Sequence, residues 1–83
     1  MFFTYILKSQ KNFSFYIGSC KDIKERIKQH NLGLVRSTRR YKPWSLVYSE
    51  THRTLSEARK RELQIKSWKN RKAIEALINN FKI

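Results

Sequence analysis

Five polar side chains in this sequence have residue types and positions that could support chemistry. They are two phenols, a guanidinium, an imidazole and a carboxylate, from Tyr5, Tyr16, Arg26, His30 and Glu62. Phenol and imidazole groups transfer protons, a guanidinium binds anions, and a carboxylate oxygen suits a divalent metal ion. Each group also has an ordinary structural role, and pattern alone leaves both roles open.

Arg26 and His30 lie one helical turn apart on the packing side of a predicted helix. At about 100° per residue, they share a face with Ile23 and Ile27. One interpretation is that both side chains extend past the packing seam into water, as long polar side chains can. The other is that both point into a polar site beside the strand that ends at residues 16–18.

Glu62 falls inside the apolar stripe of a second predicted helix, between Ala58 and Ile65. Burying a lone carboxylate is costly unless a cation meets it. One interpretation is a core ion pair with a nearby Arg or Lys, such as Arg26. The other is a carboxylate kept for a divalent metal, which prefers oxygen ligands. Tyr5 and Tyr16 likewise fit plain aromatic packing, although a buried phenol hydroxyl still needs a partner.

The elements that must position these groups can be read from local patterns. Aromatic and β-forming residues predict strands over residues 2–7, 13–17 and 45–50, the first two forming a hairpin. Gly18 is expected to end the second strand, where the backbone must bend or let another group approach closely. Capping residues predict three helix starts, at Asp22, Thr54 and Asn70.

The order of these elements is β-β-α-loop-β-α-α. It predicts an α+β fold in which helices flank a three-stranded antiparallel β-sheet. The helices are expected to end near residues 31, 69 and 78. The 83 residues are few enough to be predicted as a single domain, residues 1–83.

The charge balance points to a polyanionic partner. Nineteen Lys and Arg residues face six Asp and Glu residues, a formal net charge of +13. Nucleic acid neutralises such a surplus through its phosphates. The rival is an anionic membrane surface, but no apolar run approaches the roughly 18–20 residues that span a bilayer. A lone Cys20 and the lack of a leader pattern predict a cytoplasmic protein without a membrane role or an obligate protein partner.

The segment "VRSTRRYKPW" (residues 35–44) is basic, lacks periodicity and contains aromatic residues. Cations beside aromatic rings suit a nucleic-acid backbone and unstacked bases. The alternative is a solvated loop whose Trp44 fills the core. Positive charge also occurs further along the chain. We predict nucleic-acid contacts from Ser37, Thr38, Arg39, Arg40, Lys42 and Lys66.

The five candidate residues follow one another along the chain in an order that resembles the GIY-YIG endonuclease superfamily. The resemblance is greatest to the small stand-alone bacterial members of that superfamily. Tyr16-Ile17-Gly18 matches the second signature literally, whereas Phe3-Thr4-Tyr5 keeps only the tyrosine of the first. Arg26 and His30 stand at the family's spacing, and Glu62 matches its metal-binding glutamate. Ser19 stands where many relatives carry a lysine, and Asn70 is a candidate for a phosphate-binding asparagine.

The resemblance implies metal-dependent hydrolysis of phosphodiester bonds in DNA, with RNA not excluded. It assigns the general base to Tyr16, with His30 as an alternative proton acceptor, and an orienting hydrogen bond to Tyr5. Arg26 would hold the scissile phosphate, and Glu62 would bind one Mg²⁺ or Mn²⁺. With no separate DNA-binding domain apparent, a preference for flexible or single-stranded DNA follows. The competing hypothesis is a non-catalytic nucleic-acid-binding module on the same fold.

Overall fold

The computed structural model describes residues 1–80, which form a three-stranded sheet with helices on both faces. The sheet order is β2-β1-β3 and both pairings are antiparallel, which confirms the predicted α+β fold. The last three residues of the predicted 1–83 domain lie outside the described residues. The elements are β1 (Phe2–Ser9), β2 (Phe15–Cys20), α1 (Ile23–Asn31), β3 (Trp44–His52), α2 (Leu55–Ser67) and α3 (Arg71–Asn79).

The central strand β1 is buried on both sides, so the sheet has two packed faces. On what we call the α2/α3 face, Ile6 packs with the core residues Ile17, Tyr48, Ile65 and Ile74. On the α1 face, Tyr5 and Leu7 pack with Cys20 and Trp44, and Ile23 and Ile27 of α1 cover them. Side chains alternate between the faces because successive residues of a strand point in opposite directions.

The second strand of the hairpin differs from its prediction in where it begins and ends. Strand β2 begins at Phe15 and continues to Cys20, so Gly18 lies inside the strand and the expected strand end there is wrong. Phe13, expected in the strand, lies in the turn with a φ of 62°. The turn is held by Ser9, whose hydroxyl oxygen accepts hydrogen bonds from the backbone N–H groups of Lys11 and Asn12.

The three predicted helix starts are confirmed by side-chain caps. The carboxylate of Asp22 accepts a hydrogen bond from the backbone of Glu25, and Thr54 accepts one from Glu57. Asn70 accepts hydrogen bonds from the backbones of Lys72 and Ala73. These bonds satisfy backbone donors that would otherwise lack partners in the first turn of each helix.

The basic segment between α1 and β3 is anchored at its end by Trp44. The Trp44 indole is buried on the α1 face, and its N–H donates to the backbone oxygen of Thr38 at 2.8 Å. The Asn31 side chain hydrogen-bonds both the backbone N–H and the backbone oxygen of Trp44. Trp44 therefore fills the core, and one short 3₁₀ turn, Arg39–Tyr41, lies within the segment.

No helix formed by residues 1–80 is both long enough and apolar enough to cross a membrane.

Candidate active site

Tyr5 and Gly18 are cross-strand partners, and their contact explains the glycine. They are paired in the β1–β2 register, and both belong to the α1 face. A Cβ atom placed on Gly18 would lie 2.5 Å from the Tyr5 hydroxyl oxygen and 2.6 Å from its Cζ. The phenol ring of Tyr5 therefore crosses directly over β2, and only a residue without a side chain leaves room for it.

His30 is fully buried and lies between Tyr5 and the basic segment. Its Nε2 is 3.0 Å from the Tyr5 hydroxyl, and its Nδ1 is 2.6 Å from the Thr38 hydroxyl. The Thr38 hydroxyl donates its proton to the backbone oxygen of Val35 at 3.3 Å, so it accepts from His30. This bonding assigns the neutral tautomer with the proton on Nδ1, and Tyr5 then donates to Nε2.

Burial keeps this chain of hydrogen bonds neutral. Loss of hydration, reinforced by the nearby Arg26 charge, lowers the pKa of His30 to about 4. Burial, followed by the neighbouring Tyr16, raises the pKa of Tyr5 well above its usual value, and the Arg26 charge opposes the rise only in part. At neutral pH Tyr5 keeps its proton and His30 carries no charge, so neither is an ionised base.

Tyr16 and Arg26 complete the cluster on its open side. The Tyr16 ring is half-buried, with its centroid 5.0 Å from that of His30 and 6.4 Å from that of Tyr5. Among residues 1–80, no group hydrogen-bonds the Tyr16 hydroxyl. Arg26 is half-buried and has no ion-pair partner in that part of the chain, although its charge reaches both Tyr5 and His30.

Glu62 lies on α2 and contacts the edge strand β2 through Ser19. Its side chain is 18% exposed and accepts hydrogen bonds from the Ser19 hydroxyl at 2.7 Å and from the Lys66 ammonium at 2.5 Å. The expected ion pair with a nearby Arg or Lys is made by Lys66, one helical turn away, and not by Arg26. The Glu62 charge still contributes to the raised pKa of Tyr5, so its carboxylate lies in the same electrostatic neighbourhood.

The donor set around Glu62 fits a hard divalent ion bound mainly through water. Residues 1–80 contain no group of three His, Cys, Asp or Glu side chains arranged to hold a metal. Mg²⁺ commonly binds through one or two carboxylates, several waters and substrate phosphate oxygens, so a single carboxylate suffices. A hollow of about 160 Å³ opens beside Glu62, lined by Arg59 and Leu63.

The residues predicted to contact nucleic acid divide into two groups. Ser37, Arg39, Arg40 and Lys42 are exposed on the basic segment. Thr38 is fully buried, and its hydroxyl is engaged with His30 and Val35, so its predicted phosphate contact is wrong. Lys66 is paired with Glu62, and Asn70 uses its side-chain oxygen to cap α3.

Two members of the site were missed by sequence reasoning. Ser19 was noted only as a departure from a lysine, yet its hydroxyl holds one carboxylate oxygen of Glu62. Thr38 was assigned to DNA, yet it fixes the tautomer of His30.

The Glu62–Lys66 pair had a readable signal, because residues four apart on a helix are neighbours. Nothing local signals Ser19 or Thr38, whose partners come from other elements.

Comparison with known proteins agrees with this geometry. The family model of the GIY-YIG catalytic domain matches residues 1–75. UPF0213 proteins of Staphylococcus aureus strains Mu50 and N315 are 38% identical over 76 residues, which cover 90% of this chain and 92% of theirs.

A UPF0213 protein of Bacillus halodurans, solved by solution NMR, is similar in structure. It superposes with a TM-score of 0.58 at 29% sequence identity, covering 96% of this chain and 86% of that one. The family model, the sequence relatives and the similar solved structure each match nearly the whole length of this chain. The chain belongs to the GIY-YIG family, whose domains are of the nuclease type.

Proposed function

We propose that this protein is an endonuclease that hydrolyses phosphodiester bonds in DNA with the help of one divalent metal ion. The observation that carries the proposal is the placement of Arg26. Its guanidinium has no counter-ion among residues 1–80, and its charge acts on both Tyr5 and His30, which form a neutral hydrogen-bonded pair next to the Tyr16 ring. A half-buried, unpaired guanidinium favours an anion, and phosphate matches its planar donors.

Tyr16 is the group we assign to the attacking water. His30 is fully buried behind Tyr5, with both ring nitrogens engaged, so water does not reach it. The Tyr16 side chain is half-exposed, and its hydroxyl is free of hydrogen bonds to the described residues. In its deprotonated form it would accept the proton of the water that attacks phosphorus.

Tyr5, His30 and Thr38 act as positioning residues in this proposal. The hydrogen-bond chain from Tyr5 through His30 to Thr38 fixes the Tyr5 phenol over Gly18. The fixed phenol lies beside the Tyr16 ring, with the two ring centroids 6.4 Å apart, and so helps to position that ring. A pre-positioned polar group costs no reorganisation as charge develops on the phosphate.

Glu62 is the residue we assign to the metal, which would be Mg²⁺ or Mn²⁺. Ser19 orients one of its oxygens, whereas Lys66 must release the other. Lys66 is 44% exposed and can do so at small cost, since exposed ion pairs contribute little stability. When bound, such an ion stabilises negative charge on the phosphate and the leaving oxygen.

The exposed basic segment supplies the backbone contacts in the proposal. Ser37, Arg39, Arg40 and Lys42 lie within four residues of Thr38, whose hydroxyl hydrogen-bonds the buried His30. Lys66, once released from Glu62, would add a phosphate contact, and Asn70 would add one through its amide Nδ2. The net charge of +13 supports a polyanionic substrate held with strong salt dependence.

A cleavage assay with a metal titration tests the proposal. Single-stranded, duplex, branched and RNA substrates would be compared for the parent, Glu62→Gln and a control, Glu75→Gln, which changes an acid of α3 paired with Arg71. We expect cutting of DNA only with Mg²⁺ or Mn²⁺, a loss of at least about 100-fold in Glu62→Gln, and parental activity in Glu75→Gln. Salt-dependent binding without cutting would favour the non-catalytic module instead.

A further inference from the structure

The tip of the β1–β2 hairpin presents an aromatic ring to solvent on an unusual backbone. Phe13 is 57% exposed and has a φ of 62°. This left-handed conformation is normally taken by Gly or Asn, and a bulky residue there is disfavoured. An exposed phenylalanine in such a place adds little to the core, so its presence calls for another explanation.

Hydrogen bonds hold the Phe13 backbone in this conformation. Its N–H donates to the backbone oxygen of Ser9 at 3.0 Å, and the backbone N–H of Ser9 donates to Ser14 at 2.9 Å. The Asn12 side chain accepts from both the backbone and the hydroxyl of Ser14. These bonds fix the turn despite the disfavoured backbone of Phe13, and its side chain stays 57% exposed.

One cation lies beside the ring, and a second links the hairpin tip to the basic segment. The Lys8 ammonium lies 5.7 Å from the Phe13 ring centroid and 5.9 Å from that of Phe15. Lys11, next to the tip, donates to the backbone oxygen of Arg40 at 3.4 Å, which brings the two basic regions together. Positive charge beside an exposed aromatic face is the pattern of surfaces that bind single-stranded nucleic acid.

We propose that Phe13 is a stacking platform for an unpaired base of the nucleic-acid substrate. The inference rests on the proposed function for its substrate class, but not on cleavage itself. Phe13 lies three residues before Tyr16, and its ring shares the Lys8 ammonium with Phe15, so a base stacked on it would lie at the tip of the hairpin whose second strand carries Tyr16. Paired bases inside a duplex expose no face to such a ring, so the platform favours single strands or unpaired ends.

Binding without metal tests this separately from catalysis. Fluorescence anisotropy in EDTA would give Kd for a labelled single-stranded oligonucleotide and for a hairpin duplex of the same length. We expect Phe13→Ala to weaken single-strand binding about tenfold or more and to change duplex binding less than twofold. Phe13→Tyr keeps the ring and should bind as the parent does. An unchanged single-strand-to-duplex ratio in Phe13→Ala would overturn the proposal.

A stability measurement separates binding from a structural role. Phe13→Asn relieves the backbone strain, so its Tm should equal or exceed that of the parent while single-strand affinity falls. Lys69 is the other non-glycine residue with a positive φ among residues 1–80, at 46°. Lys69→Asn should leave the single-strand-to-duplex ratio unchanged. A Phe13→Asn variant with both Tm and affinity lowered would assign Phe13 to folding and refute the platform.

The two proposals fail differently. Phe13-dependent preference for single strands together with no metal-dependent cutting would refute the nuclease and leave the platform standing. Cutting that depends on Glu62, with no effect of Phe13→Ala on single-strand binding, would refute the stacking platform and leave the nuclease proposal standing.

Discussion

The two faces of the sheet are built from different kinds of side chain. On the α2/α3 face, Ile6 and Ile65 are fully buried among other apolar groups. On the α1 face, Tyr5 and His30 are equally buried but polar, and they are satisfied by a chain of hydrogen bonds that ends at Thr38. Apolar burial drives folding, whereas buried polar groups contribute little net stability even when paired.

This contrast separates stability from function within one small chain. A polar chain on the α1 face has no advantage over apolar packing for folding alone. We therefore expect changes in the Tyr5–His30 hydrogen-bond chain of the α1 face to affect catalysis more than folding, and changes in the apolar cluster around Ile6 and Ile65 to do the opposite. Four substitutions test that division, from the largest expected effect to the smallest.

Arg26→Met should give the largest separation of activity from stability. It removes the proposed phosphate contact while keeping the aliphatic length of a half-buried side chain with no ion pair in residues 1–80. We expect the cleavage rate to fall about 1,000-fold, with Tm within a few degrees of the parent. Lys28→Met, an exposed cation of the same helix, is the matched control and should cut normally. Equal rates for the two variants would remove Arg26 from the mechanism.

Ile65→Ala should lower stability while leaving the activity of each folded molecule nearly unchanged. Ile65 is fully buried on the α2/α3 face, and truncating such a side chain leaves a cavity. The expected loss is about 2–5 kcal/mol in the free energy of unfolding, measured by denaturant titration. The fraction that stays folded should cut DNA at nearly the parental rate per molecule. A stable but inactive Ile65→Ala protein would contradict the division between the faces.

Gly18→Ala should affect both properties, because it changes the contact that places Tyr5. The new methyl group would meet the phenol ring at 2.5–2.6 Å, so the ring must move. Overpacking of this kind costs about 1–3 kcal/mol, and displacing Tyr5 should also lower the cleavage rate. Gly33→Asn, at a φ of +78° beyond α1, serves as a control because Asn tolerates that backbone. Parental activity in Gly18→Ala would show that the Tyr5 position is unimportant.

His30 should make stability depend on pH in acid. Its folded pKa, about 4, lies below the usual value of 6.5, so the unfolded chain binds its proton first as pH falls. Stability contributed by neutral His30 is complete above about pH 6.5 and is lost as pH falls toward 4. The expected change is on the order of 2 kcal/mol, measured as the difference between the parent and His30→Gln in denaturant titrations. Parallel pH profiles for the two proteins would show that His30 is not buried in its neutral form.

Features that depend on neighbouring residues were predictable from the sequence. The caps at Asp22, Thr54 and Asn70 each join a side chain to a backbone group two or three residues away. The sheet and the helix order followed from alternation, helical periodicity and turn residues. A positive φ at Gly33 ends α1 where the Asn31-Leu32-Gly33 stop predicted it.

Features that depend on packing between distant elements were not predictable. Gly18 was expected to end its strand at a bend or to let another group approach closely, but local sequence does not identify that group, which is the Tyr5 ring on another strand. Thr38 looked like a phosphate ligand, because its burial depends on how Trp44 and His30 pack around the basic segment. The sequence predicts a nearby Arg or Lys as a partner of Glu62, but only the packed structure selects Lys66 rather than Arg26.

Tyr16→Phe tests the central claim most directly, because it removes one oxygen from the side chain said to activate water. That hydroxyl makes no hydrogen bond to residues 1–80, so Tm and the Kd for DNA should stay near parental values. With saturating Mg²⁺ or Mn²⁺, we predict a cleavage rate at least about 100-fold lower. A Tyr16→Phe protein that cuts DNA as fast as the parent would contradict the account.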